Sequence, residues 1–564
     1  MRPQLLVLLL QFGLSFAVGL EQGIDPRCRC VPGDKCWPSQ SQWRSFEQLL
    51  GRGKLIRTSP IAESCYNGAR MDLNYNPVGR PYPYNITCTP VNYTAGETPT
   101  ACTLGSLPVY AVNATTRKDV ALTLKFAKHN NIRLVTSTGH DLLGRSDGYG
   151  GLEVWLRHFR NGINFQKTFK SARQCTKSGW KGSALHIDGA WQWRDVYKVA
   201  KANNVIAVGH GSLSPGAIGG WSSGGGHGPA TRNYGLGADQ ILEAEVMLAN
   251  GQIVTANHCK NTDLFRAIRA GGPGYGIVLS QHIKAYPNVD VVVTAHRLAI
   301  ALLQQTPENA DLLDAVSVLL QQFPSLNGKG HAGYGFWFRR FPGPFTEAED
   351  AMADTLKLLE EKKFHDKLSI SSTFTQYPDY WSFYDAESGL HDPAGDTSIL
   401  TSRMIDPKAV SDYKRVRDTV EIISGTPEEV VSNVVLLVSG GQVFQDAADT
   451  RSGLHPAWRT SPFVLISGQG IPKVATREVR EYVTNQITNV KGAALKRLAL
   501  DTGGYMNEGD RHDPEYIRTF YGADYDGHLA VKRKYDPEHA FYCPTRVGAE
   551  EFVERPDGPL CRKD

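Results

Sequence analysis

Two short stretches of this chain have residue types at a spacing that can hold an anion. The first reads Thr136-Ser137-Thr138-Gly139-His140-Asp141-Leu-Leu-Gly144-Arg145-Ser146-Asp-Gly148-Tyr-Gly150. The second, Gly209 to Gly228, has nine glycines in twenty residues. Backbone without Cβ lets a ligand come close, and successive N–H groups form a nest for negative charge, so a diphosphate is a natural guest. A flexible linker is the bland alternative. Context argues against it: both stretches follow apolar runs, and Ile218, Trp221 and His227 interrupt the second. Gly220-Trp221-Ser222-Ser223-Gly224 also matches the G-x-S-x-G elbow of serine hydrolases, with Ser222 as nucleophile. That elbow needs a strand directly before it, and Ser214-Pro-Gly-Ala-Ile-Gly-Gly is no regular buried strand. Neither a Rossmann G-x-G-x-x-G after the first apolar run nor a P-loop Gly-Lys-Ser/Thr is present.

The elements that deliver these stretches are written twice. Val120, Leu124 and Ala127 fall at helical spacing behind a Thr116 cap, Asn130-Asn131 ends the helix, and Ile132 to Thr136 reads as a strand. Val196, Val199 and Ala200 mark a second helix, Asn203-Asn204 ends it, and Val205 to Val208 reads as a strand. Even the words agree, Ala127-Lys-His-Asn-Asn-Ile against Ala200-Lys-Ala-Asn-Asn-Val. Asn250-Gly251 between two strand-like runs predicts a hairpin. Residues 290–500 alternate helical and strand-like segments, which predicts a second α+β unit. Residues 20–103, rich in Pro, Gly, Cys and Tyr, read as an irregular cross-linked lead-in.

At 564 residues the chain is long enough for two or three packed units. Its 61 basic and 57 acidic residues leave a net charge of +4, with no Lys/Arg run, so no nucleic-acid partner is expected. Met1-Arg2, an apolar run Leu5 to Leu10 and Ala17-Val18-Gly19 predict a secretory signal peptide over 1–19. Gln11 breaks the apolar stretch, which is shorter than the ~20 residues a membrane span needs. Ten cysteines, an even number with six before residue 103, agree with secretion and predict a disulfide-stapled N-terminal segment whose pairing stays open. Zinc at Cys28-Arg-Cys30 is disfavoured, since C-x-C is not its usual spacing, and no metal is expected. Asn85, Asn92 and Asn113 each open a glycosylation sequon.

The loop Thr138-Gly139-His140-Asp141-Leu-Leu-Gly144-Arg145-Ser146 resembles the first flavin loop of FAD-linked oxidases of the vanillyl-alcohol-oxidase and berberine-bridge-enzyme superfamily. Ala217-Ile-Gly219-Gly220, Gly224-Gly-Gly226-His227-Gly228 and Tyr234 to Asp239 resemble the second. Asn261 to Gly272 and Gly276-Ile277-Val resemble the segment that closes the FAD domain. Tyr505-Met-Asn507, Phe520-Tyr521-Gly522 and Val531-Lys532-Arg-Lys-Tyr535-Asp536-Pro537 resemble the C-terminal berberine-bridge element. With its cysteine-rich lead-in the chain looks most like fungal secreted isoamyl-alcohol-oxidase-like members.

The resemblance implies an α+β fold. A PCMH-type FAD-binding domain of two α/β subdomains would span 104–289, and a substrate domain with an antiparallel sheet 290–500. A tail, 501–564, would return to the flavin. FAD would be the cofactor, joined at its 8α-methyl to His140. Its other contacts would come from Thr136, Ser137, Thr138, Gly139, Asp141, Gly144, Arg145, Ser146, Gly219, Gly220, Gly226, His227, Gly228, Gly276 and Ile277. Bicovalent members also have a Cys in the second loop; here Leu213 sits near that slot, so attachment through His alone is expected. Tyr505 would be the catalytic base or its partner and Asn507 an orienting group. The implied activity is a secreted monomeric oxidase moving a hydride from an alcohol-type small-molecule substrate to flavin N5 and electrons to O₂, forming H₂O₂. A tailoring oxidoreductase of a secondary-metabolite route is the alternative. A Ser222 hydrolase and a non-catalytic glycosylated binding protein are the remoter ones. Trp337, Phe338, Tyr377 and Trp381 are pocket candidates, though aromatics are more often core.

Overall fold

The computed structural model describes residues 27–60, 102–139, 141–171, 175–289, 292–304, 309–335, 337–340, 344–362, 364–387, 398–472, 475–555 and 558–564, with isolated positions between 61 and 101. The stretch expected to be a signal peptide, Asn85, Asn92 and His140 lie outside them.

The lead-in is more regular than its composition suggests. A helix spans Gln40–Leu50, opened by a capping box: Gln42 N–H donates to Ser39 Oγ at 3.3 Å and Ser39 N–H to Gln42 Oε1 at 2.8 Å. It buries Trp43, Phe46 and Leu50 against Val120 and Leu124 of the helix Arg117–His129. The Ser-x-x-Gln spacing was the available signal. Strand β1 (Leu55–Arg57) then pairs antiparallel with β2 (Tyr110–Asn113), which lies parallel to β4 (Leu152–Trp155), itself parallel to β3 (Leu134–Ser137). The first sheet has the order β1-β2-β4-β3. Asn113, half-buried in β2, bonds His158 Nδ1 through its side-chain oxygen at 2.9 Å.

The duplicated sequence produces duplicated geometry. The helices Arg117–His129 and Trp193–Ala202 end at Asn130 (φ −102°, ψ 11°) and Asn203 (φ −106°, ψ 10°). The next residues, Asn131 and Asn204, both take φ +49°. Asparagine tolerates this left-handed turn, which stops the helix and aims the chain into a strand. That strand is β3 in one case and β7 (Val205–Ala207) in the other. The β3 unit joins a parallel sheet. The β7 unit pairs antiparallel with the end of β10 (Ile277–Pro287) in a second sheet ordered β5-β6-β10-β8-β9, whose other strands are β5 (Arg160–Gln166), β6 (Ala184–Gly189), β8 (Ile241–Met247) and β9 (Ile253–Asn257). Strands β8 and β9 form the expected hairpin, with Gly251 at φ +82° in its turn.

The third sheet has seven antiparallel strands: β11 (Val293–Leu302), β12 (His331–Tyr334), β13 (Trp337–Arg340), β14 (Leu368–Tyr377), β15 (Ser398–Ile405), β16 (Val431–Leu437) and β17 (Phe463–Gly470). Their order is β14-β11-β13-β12-β16-β17-β15. Strand alternation divides its faces. Phe463 and Leu465 of β17 pack with the helices Ala310–Gly328 and Tyr413–Ser424. Val464 and Ile466 face the other way, into a cluster holding Leu236, Trp458 and Tyr505. The sheet is thus a wall behind the second glycine loop. Of the pocket aromatics, Phe338 and Trp381 belong to buried cores and Tyr377 packs beside one; no side-chain position is described for Trp337.

Disulfides Cys28–Cys561, Cys30–Cys36, Cys88–Cys102 and Cys175–Cys259 are present, so both sulfurs of the C-x-C pair are taken. The first joins the two ends of the described chain across 533 residues. Among the described residues no helix is long and apolar enough to cross a membrane.

Candidate functional site

The two glycine loops meet. A Cβ on Gly139 would lie 2.4 Å from Gly216 N, and one on Gly216 would lie 2.6 Å from Thr138 Oγ1. Between them opens a cavity floored by β3 and closed by residues 272–278, the turn holding Tyr505, Asn507 and Glu508, and the tail residues Phe541, Tyr542 and Cys543.

Most glycines of the second loop make room for protein rather than ligand. A Cβ on Gly226 would enter the Trp221 ring, and one on Gly228 would strike Gly209 O. Gly219 and Gly220 differ. Both line the cavity, and a Cβ on either would meet nothing within 4 Å. Gly219 takes φ +83°, a conformation only glycine enters cheaply. This open backbone is what an extended dinucleotide needs at its diphosphate, so the residues present fit FAD.

The expected first-loop residues separate into two groups. Thr136, Thr138, Gly139, Asp141, Arg145 and Ser146 line the cavity. Ser137 turns away to bond Glu153, and Gly144 stays outside the wall, its carbonyl accepting from Arg511. Gly276 and Ile277 line the cavity, whereas Gly226, His227 and Gly228 stand behind it. Leu213, at the slot of the missing Cys, packs beside the core under the second loop.

A hydrogen-bonded chain crosses the site from loop to tail. Asp141 accepts from the backbone and Nε of Arg145. Arg145 Nη1 donates to Asn507 Oδ1 at 2.9 Å, and Asn507 Nδ2 donates to Tyr505 Oη at 2.8 Å and to Trp221 O at 3.1 Å. Burial alone would push the Asp141 carboxyl up, but the Arg145 guanidinium and the backbone donors outweigh it and hold it below the usual carboxylate range. For Tyr505, burial and the nearby Glu508 charge push the phenol above its ordinary value, against the smaller pull of Asn507 and Arg145. An unassisted phenolate is therefore disfavoured.

Three features were invisible in the sequence. Glu508 lines the cavity beside Asn507, and its only signal was adjacency to the Tyr-x-Asn motif. Gly224 leaves the space that Asn507 fills. Cys543, outside a disulfide and buried, lines the same cavity; burial keeps its thiol protonated despite the nearby Arg145. The elbow reading of Ser222 fails on geometry. Ser222 sits in a four-residue helix, Gly220–Ser223, with no strand leading into it, is 2% exposed, and donates to Gly219 O at 3.2 Å instead of to a base.

The sheets, the paired loops and the returning tail define a flavoprotein architecture, and comparison with known proteins agrees. A model described as FAD binding domain matches residues 108–257, and one described as Berberine and berberine like matches 504–547. The FAD-linked oxidoreductase hmp9 of Hypomyces subiculosus is 57% identical, the alignment covering 95% of this chain and 91% of that protein. FAD-linked oxidoreductase apf9 of Gibberella fujikuroi is 35% identical over 95% and 96%. The crystal structure of the VAO-type flavoprotein MtVAO713 from Myceliophthora thermophila C1 superposes with a TM-score of 0.91 at 66% identity, covering 95% of this chain and all of that one. This chain therefore belongs to the FAD-linked oxidoreductases of the vanillyl-alcohol-oxidase and berberine-bridge-like superfamily. It is an oxidoreductase, and FAD is its cofactor.

Proposed function

We propose that this protein is a secreted oxidase acting on an alcohol-type substrate, with FAD tethered through His140 alone and O₂ as electron acceptor. One observation carries the reading: the ligand-facing backbone at Gly219 and Gly220 and the polar set Tyr505, Asn507 and Glu508 share one cavity. FAD supplies the hydride acceptor and, on reoxidation by O₂, releases H₂O₂. The chain's own residues do the rest. Thr136, Thr138, Gly139, Gly219, Gly220, Gly276 and Ile277 hold the cofactor. Asp141, Arg145 and Asn507 fix the phenol of Tyr505, which donates a hydrogen bond to the substrate oxygen. The division of labour is that of a flavin unit over 104–289, a substrate unit over 290–500 and a tail from 501. Four disulfides support the secretory half of the reading, because such bonds persist in oxidising compartments.

The test is a spectrum followed by a peroxide assay. Purified protein should be yellow and keep its colour through acid precipitation, and His140→Ala should release the flavin on denaturation. A panel of alcohols, sugars and phenols should yield peroxide with at least one member. Yellow protein that gives peroxide with none of them, and that is not reoxidised by air after chemical reduction, is not an oxidase.

A further inference from the structure

We propose that Glu508 is the catalytic proton acceptor of this site, with His227 as its positioning residue, an inference that rests on the oxidase reading above. Among the described residues two carboxylates line the cavity, Asp141 and Glu508. Asp141 is committed, accepting from Leu143 N at 3.3 Å and from the backbone and guanidinium of Arg145. Glu508 is held loosely. His227 Nε2 lies 3.3 Å from each of its oxygens, and its side chain keeps 15% exposure, so lone pairs remain for a ligand in the cavity.

The other proton-bearing groups are excluded as acceptors by their bonds. His210 also lines the cavity, but its Nδ1 accepts from Ser212 N at 2.8 Å, so Nε2 has the hydrogen and can only donate. His227 is 3% exposed and stands behind the wall, its ring edge-on to Tyr505 with centroids 4.9 Å apart. Its Nδ1 is buried without a partner, which leaves Nε2–H to point at Glu508. Tyr505 Oη already accepts from Asn507, whose own oxygen is taken by Arg145, so the amide orientation is set and the phenol's hydrogen is the one left to offer.

The proton balance follows. A substrate R₂CH–OH gives its O–H proton to the Glu508 carboxylate while the C–H leaves with its electron pair to oxidised FAD. The product is R₂C=O, and the Glu508 acid returns its proton to water. The groups that face Glu508 are His227 from the second loop, Tyr334 from β12, and Tyr505; His210 packs against the far side of the set through His227, and Arg145 joins the bonded chain beyond Asn507.

The test uses purified holoenzyme and needs no identified substrate in its first arm. Sulfite, an anion that reports the field at the reacting face of a bound flavin, is titrated by the bleaching of the yellow absorbance across pH. Removing a facing negative charge should tighten it, so Glu508→Gln should bind sulfite about tenfold more tightly and flatten the pH dependence. Glu508→Asp and Tyr505→Phe should stay within about threefold of the parent. His227→Leu, which removes a donor to the carboxylate, should alter the pH dependence of sulfite binding relative to the parent. In the second arm, anaerobic bleaching by a panel alcohol should slow about a hundredfold or more in Glu508→Gln and lose its acid limb, which Tyr505→Phe should keep. Unchanged sulfite binding in Glu508→Gln, or an acid limb that vanishes with Tyr505 instead, overturns the assignment. If Glu508→Gln loses flavin, Glu508→Asp and His227→Leu still report, and an unaltered pH dependence in His227→Leu removes its positioning role. A parent protein without colour sinks the oxidase reading first, before Glu508 is in question.

Discussion

Gly224 and Asn507 occupy one volume between them: a Cβ on Gly224 would lie 2.6 Å from both Nδ2 and Oδ1 of Asn507. The glycine is in the second loop and the asparagine in the tail, 283 positions later. What reads as ligand-binding flexibility is here a socket for a side chain. The socket decides where Asn507 sits, and Asn507 decides where the Tyr505 phenol sits.

Gly224→Ala should therefore act at a distance. The added methyl must displace Asn507 and break its bonds to Tyr505 and Trp221. A loss of about 1–3 kcal/mol is expected for such overpacking, read as a lower midpoint in denaturant. Colour should be retained while turnover falls. An unchanged midpoint with full activity would mean the tail yields freely.

Arg145→Lys tests the bonded chain. One guanidinium holds both Asp141 and Asn507, and a lysine keeps the charge without the fork. Turnover should drop about tenfold or more through misplacement of the Tyr505 phenol, with flavin content unchanged. Full activity in this variant would show that charge alone suffices.

Stability should fall in acid, and two histidines of the third sheet set part of the window. His296 and His331 are fully buried. His331 has no partner at either ring nitrogen; burial, then His296 and the cations Arg340, Arg232 and Lys329, push it down to about 3. Burial pushes His296 down to about 4, with Ser372 its one hydrogen-bond partner. Both folded values lie below the unfolded one, so below about pH 6.5 the unfolded chain binds more protons. Their contribution is complete above that pH and is withdrawn as pH falls, by about 1.4 kcal/mol per unit for each ring. Melting temperature against pH should fall from 6.5 towards 4, and His331→Leu should make the slope shallower. An unaltered slope would remove His331 from the account.

Lys532→Met tests how the tail clamps the cavity. The Lys532 ammonium is fully buried and donates to Asp536, to Gly274 O and, at 3.1 Å, to Phe541 O. Gly274 and Phe541 both line the cavity. Removing the ammonium strands the Asp536 charge, at an expected cost of about 3–5 kcal/mol. Calorimetry should show the loss, and unfolding should release non-covalently held flavin contacts early, seen as a rise in flavin fluorescence before the protein melts.

Local elements were readable wherever periodicity and caps act within one segment. The helix Arg117–His129, its copy at Trp193–Ala202 and the β8–β9 hairpin all appear where spacing puts them. The helix Gln40–Leu50 was hidden in a composition of breakers, although Ser39 and Gln42 announced its start. The family was readable because several ordered motifs survive at once, and the comparisons bear it out.

The sequence by itself determined the flavin class, the two strand-fed loops and the return of the tail, since each is encoded by residues close together in the chain. Tertiary structure alone decided which glycines face a ligand. Gly219 and Gly220 open into the cavity, whereas Gly224, Gly226 and Gly228 accommodate Asn507, Trp221 and Gly209. It also brought Glu508 to His227 across 281 positions and Arg145 to Asn507 across 362. Spacing along a chain cannot report such meetings, because whether a carboxylate is committed or available depends on what packs against it from elsewhere in the fold.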